Sequence, residues 1–184
     1  MVEMTALWLP ILLSAVFVFV ASSVVHMVLP YHRSDYGKLP NEDAVLDALR
    51  AQNAGAGDYV MPHCVGPEAR NDPQMKAKLE RGPIGVLTVR HGFAMGTSLV
   101  AWFVYCLVIG VFAAYLASRF LAPGVEYLQV FRLVGTTSFL AYAGAAPTNS
   151  IWLSRQWSTT VKHVFDGLLY ALLTAGVFGW LWPA

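Results

Sequence analysis

Five histidines, a cysteine and an aspartate hold the residue types in this chain that can bind a metal or move a proton: His26, His32, His63, His91, His163, Cys64 and Asp166. His26 lies about one turn inside the end of an apolar run, and His32 follows it in the stretch Pro30-Tyr31-His32-Arg33-Ser34-Asp35. His63 adjoins Cys64. His163 precedes Asp166 by three residues, a spacing that sets both on one face of a helix. Imidazole, thiolate and carboxylate are ligands for zinc and other transition metals, and histidine also titrates near neutral pH. The spacing matches no metal motif, because H-x-x-x-H, H-E-x-x-H and C-x-x-C are all absent and a proline separates His26 from His32. No cofactor is therefore predicted. A transition metal, or proton handling, at His26, His32, His63, Cys64, His163 and Asp166 stands as the alternative reading.

Two charges enter apolar runs from opposite ends. Asp166 has Lys162 four residues before it, and the spacing predicts an interfacial pair whose lysine reaches toward water. Arg132 has Glu3, Glu126 and Tyr127 as candidate neighbours, and the expectation there is a structural ion pair. Cys106, in the middle of a run, reads as a small core hydrophobe. A Gly-rich phosphate loop, a G-x-S-x-G elbow and a placed Ser-His-Asp set are missing, so no catalytic residue is assigned. Helices broken in pairs at the midplane and filter-like sequences are missing too.

The elements that must position these residues are membrane helices. Of the 184 residues 57% are hydrophobic and 12% charged, with a mean hydropathy of +0.53, and the apolar residues gather into four long runs. They cover about residues 5–29, 93–120, 127–146 and 161–182, each near the ~20 residues that cross a ~30 Å hydrocarbon core. Proline closes the first run at Pro30 and the third at Pro147. Glu3 precedes the first run and no Lys or Arg does, so it reads as a retained span and not a signal peptide. Ten basic residues fall in the two connections after spans one and three, among them Arg33, Arg50, Arg81, Arg90, Arg155 and Lys162, and only Arg119 flanks the other side. The positive-inside rule then places both connections in the cytoplasm and both termini outside. Trp8, Trp180 and Trp182 mark one interface, Trp152 and Trp157 the other. Twelve basic against eleven acidic side chains leave a net charge of +1, so nothing points to a nucleic-acid partner and none is expected.

Between Pro30 and Gly92 lies a small α+β insertion. Asn41 caps a helix with Val45, Leu46 and Leu49 on one face, ending by Gly55. Asp72 caps a second that opens on Pro73 and stops at Gly82-Pro83. Residues 58–61 and 84–89 are extended and suited to pairing. The fold class is thus all-α integral membrane, a four-helix transmembrane bundle in one membrane domain with this insertion between spans one and two. Gly167, Ala171, Ala175 and Gly179 recur every fourth residue along span four and form a stripe for close helix packing or for docking a partner.

Two stretches, Val25-His26-Met27-Val28-Leu29-Pro30-Tyr31-His32-Arg33-Ser34-Asp35-Tyr36 and the segment from Phe165-Asp166-Gly167 to Trp180-Leu181-Trp182-Pro183, resemble small bacterial four-span integral membrane proteins that have no assigned activity. The resemblance implies a bacterial inner-membrane setting and carries no residue roles. The function expected from the sequence is a non-catalytic accessory or structural subunit of a membrane complex. Its partners would be the lipid bilayer together with a second copy or foreign subunits.

Overall fold

The computed structural model describes residues 1–184, and 70% of the chain is helical. A short 3-10 turn, Met4–Leu7, leads into α1, Trp8–Ser23. Near its end the helix loosens into a π turn over Val24–Val28, closed by Leu29 N–H donating to the carbonyl of Val24 at 3.0 Å. Proline ends it: Pro30 has no N–H to continue the ladder, and Pro30–His32 forms a single 3-10 turn. Further along the chain come α2 (Glu42–Ala51), β1 (Gly57–Met61), α3 (Gly66–Asn71), α4 (Pro73–Arg81) and β2 (Gly85–Val89). The remaining helices are α5 (Met95–Phe120), α6 (Tyr127–Ala143), α7 (Ala146–Leu153) and α8 (Trp157–Trp180).

Three helices are long and apolar enough to cross a bilayer, Met4–Val28, Met95–Phe120 and Trp157–Trp180, which marks a membrane-associated protein. The third apolar run does not form one helix to Ala146. It breaks after Ala143 and restarts as α7, with Pro147 in the first turn. At 17 residues α6 is about 26 Å long, short of the hydrocarbon thickness.

The chain forms two compact units. The first, residues 1–36 and 95–184, is a bundle of α1, α5, α6 and α8 in which α6 and α8 pack most extensively. The small-residue stripe explains that closeness. A Cβ on Gly167 would stand 2.8 Å from Ala143 Cβ, and one on Gly179 would stand 2.6 Å from the Tyr127 ring, so each admits a neighbour that an alanine would exclude. Ala171 and Ala175 are buried, and Ala175 lies opposite Gly135, whose added Cβ would meet it at 3.2 Å. The stripe therefore faces α6 of its own chain. One core cluster gathers Leu7, Ala113, Ala117, Val130, Val134 and Phe178, and a second joins Ala15, Val18, Cys106 and Tyr170. Buried hydroxyls in the bundle turn back on their own helix, as Ser22 does to Phe19 and Thr174 to Tyr170.

The second unit, residues 37–94, pairs β1 and β2 antiparallel with Tyr59 opposite Leu87. Asn41 caps α2 by accepting from Ala44 N–H, and Asp72 caps α4 by accepting from Gln74 N–H. α2 ends at Ala51, earlier than Gly55, and α3 is an additional helix. Gly82, at φ +59° and ψ −170°, takes a conformation essentially confined to glycine where α4 ends. No side chain of this unit is buried.

Candidate metal centre

The π turn and the 3-10 turn bring two histidines side by side. The rings of His26 and His32 are 4.2 Å apart between centroids, in an edge-on arrangement. A proline between them, which argues against a local motif, is the device that folds His32 back. The returning segment is fastened to α8 by Lys162, whose ammonium donates to the carbonyl of Tyr31 (2.8 Å), to Ser34 Oγ (2.9 Å) and to Asp35 Oδ1 (2.7 Å). One turn further along α8, four residues on, Asp166 points at the same place.

His32 is held from both sides. Its Nδ1–H donates to Asp35 Oδ2 at 2.6 Å. Its Nε2 stands 3.0 Å from Asp166 Oδ2, yet the two are not aligned as a hydrogen bond, and both atoms are buried without any other partner. His32 Nε2 and the Asp166 carboxylate oxygen stand 3.0 Å apart, so a cation must join them, either a proton on Nε2 or a metal ion held between the two. One ligand atom from each of His26, His32 and Asp166 lies within 4.8 Å of the others. Donors in a tetrahedral zinc site are spaced about 3.3 Å apart, so the three side chains would have to draw closer to hold such an ion.

Asp35 is the outer partner that such a site needs. A carboxylate accepting the far N–H of a ligand histidine fixes its tautomer and raises its basicity. Burial alone would push the Asp35 carboxyl up, but the hydrogen bonds from Lys162 and His32 outweigh it and hold it below the usual carboxylate range.

His163 sits beside the pair, with centroids 5.6 Å from His32 and 6.3 Å from His26. Its Nε2 accepts from Arg155 Nη2 at 2.9 Å, so that nitrogen is not free to ligate. Compared with known proteins, the chain matches no family model, no curated protein and no solved structure. The residues alone must carry the functional argument.

The remaining sequence candidates separate from this centre. His63 and Cys64 lie in the other compact unit, His63 exposed and Cys64 half-buried, and are not part of the set. His91 is engaged within that unit, where its Nε2 accepts from Ala56 N–H at 3.0 Å. The Lys162–Asp166 pair expected along α8 does not form, because Lys162 turns to Asp35, whose segment offers it three oxygens. Arg132 takes part in none of the chain's ion pairs. Instead it borders an apolar groove with Gly135, Thr136, Leu168 and Ala171. Sequence reading missed Asp35 and Arg155. The signal for Asp35 was present, an acid three residues beyond His32 across a turn-forming stretch.

Proposed function

We propose that this protein is a membrane metalloprotein whose centre is a transition-metal ion held by His26, His32 and Asp166. The observation that carries the reading is the pair of buried, unsatisfied atoms, His32 Nε2 and Asp166 Oδ2, facing each other beside a second imidazole with a carboxylate behind the first. Two nitrogens and one carboxylate oxygen suit Zn²⁺, Fe²⁺ or Mn²⁺. Three protein ligands leave at least one position open to water or a ligand, the arrangement of reactive sites and not of closed structural ones. The accessory-subunit reading has less to support it, since the stripe on which a partner would dock is covered by α6.

In the full proposal α6 is a fourth crossing, short enough to thin the bilayer locally, and both termini lie outside. The metal centre then sits at the cytoplasmic end of a bacterial inner-membrane bundle, as the basic connections and the resemblance of the two quoted stretches imply.

Elemental analysis of protein purified without chelator tests the centre. Wild type is expected to carry about one equivalent of metal per chain. His26→Ala, His32→Ala and Asp166→Asn should each remove most of it while the protein still elutes as a folded species. A wild type that takes up no Zn²⁺, Fe²⁺ or Mn²⁺ on reconstitution would sink the reading.

A further inference from the structure

Beside the ligands opens a cavity of about 330 Å³, bordered by His26 and Asp166 and walled by Trp102, Tyr142, Tyr170, Asn149, Arg155 and His163. Two of these groups are unspent. Arg155 has five N–H donors, gives Nη2–H to His163, and has no carboxylate within ion-pair range. Tyr170 is 4% exposed and its hydroxyl has no hydrogen-bond partner. A buried hydroxyl left without a partner is destabilising, and the half-buried Arg155 guanidinium keeps donors that no carboxylate takes up. An acceptor brought in from outside would satisfy both.

From this we infer that the cavity binds a small ligand ending in an oxyanion, a carboxylate or phosphate, with its charged end on Arg155. The guanidinium fork matches the planar pair of oxygens in such a group. Tyr170 Oη–H is a further donor in the same wall, and Trp102 and Tyr142 offer an aromatic surface for the body of the ligand. Asp166 is the only acid in the lining. Its charge cancels that of Arg155 until a divalent ion binds, after which the cavity is positive. Any contact of the ligand with a metal on His26 and Asp166 would rest on the metal-centre reading, whereas the contacts to Arg155 and Tyr170 do not. The oxyanion could come from a soluble molecule or from a lipid headgroup, and the chemistry of recognition is the same.

Calorimetric titration of the full chain in detergent, with sodium benzoate, inorganic phosphate and dihexanoyl phosphatidate as separate probes, tests the inference with and without Zn²⁺. At least one probe is expected to bind. Arg155→Gln should weaken it tenfold or more, Arg155→Lys less, and metal content should be unchanged because Arg155 is not a ligand. Tyr170→Phe, which keeps the ring in place, should weaken binding severalfold and guards against a fold defect in the Arg155 variants. Binding of benzoate or phosphate assigns a soluble ligand; binding of phosphatidate alone assigns a lipid headgroup. Failure of all three to bind, or equal binding by wild type, Arg155→Gln and Tyr170→Phe, overturns the inference. Arg155-dependent binding by a chain that takes up no Zn²⁺, Fe²⁺ or Mn²⁺ when these are supplied would retire the metal centre and keep the oxyanion site.

Discussion

His32 shows how one imidazole is given a direction. Its Nδ1–H is fixed by Asp35 and Asp35 is fixed by Lys162, so Nε2 is aimed at Asp166, where the proposed metal would be held. Asp35→Ala removes that orientation without touching a ligand. Metal affinity is expected to fall about 10–100-fold, the usual effect of losing such an outer partner, with all three ligands still present. Competition with a chromophoric chelator measures it, and an affinity equal to wild type would show that the His32–Asp35 bond is only structural. Lys162→Met should act in the same direction, since it frees both Asp35 and the segment carrying it.

Among the elements, the α6–α8 pair and the end of α1 do most to build the centre. The π turn at Val24–Val28 carries His26, and local widening of a helix of this kind is frequent at functional sites. α8 carries Lys162, His163 and Asp166, and its position depends on the glycines that meet α6. Gly167→Leu places a Cβ 2.8 Å from Ala143 Cβ and 3.2 Å from Ala143 N. The backbone there cannot yield as a flexible side chain would. Overpacking of this kind costs about 1–3 kcal/mol, so a thermal midpoint in detergent several degrees below wild type is expected. Gly176→Ala is the control, since its Cβ would meet only Tyr127 Oη at 3.7 Å. Equal midpoints for the two variants would mean that α6 and α8 do not pack as closely as described.

For the molecule as a whole the question is how many times it crosses. Three crossings put the termini on opposite sides and four put them on the same side. Four, with the basic connections inside, predict that alkaline phosphatase fused after Ala184 is active in the periplasm and that a green fluorescent protein fusion at the same point is dark. The reverse pattern would place the C-terminus inside and overturn the arrangement with both termini outside. Trp8, Trp152, Trp157 and Trp180 are all exposed on the protein. The unit of residues 37–94 has ordered helices and a hairpin but no buried side chain. Its order comes from caps, the strand ladder and local bonds such as Thr88 Oγ1–H to Asp58 Oδ1 at 2.6 Å.

The sequence by itself determined three of the four expected membrane helices, the two caps in the insertion and the pairing of its strands. Each of these is a local property, set by runs of apolar residues, by a polar side chain next to a helix start, or by β-branched residues between breakers. It also drew His26, His32, His163 and Asp166 to one end of the chain's bundle. Only the tertiary structure decided which of them meet. His26 and His32 come together because a π turn and a proline reverse the chain, and a reversal of that kind leaves no periodic pattern. Lys162 could have paired with Asp166 on its own helix or with Asp35 across the bundle. Three acceptor groups on the returning segment against one carboxylate on the helix settled it, and that balance depends on how the fold brings together partners 127 to 131 positions apart in the chain.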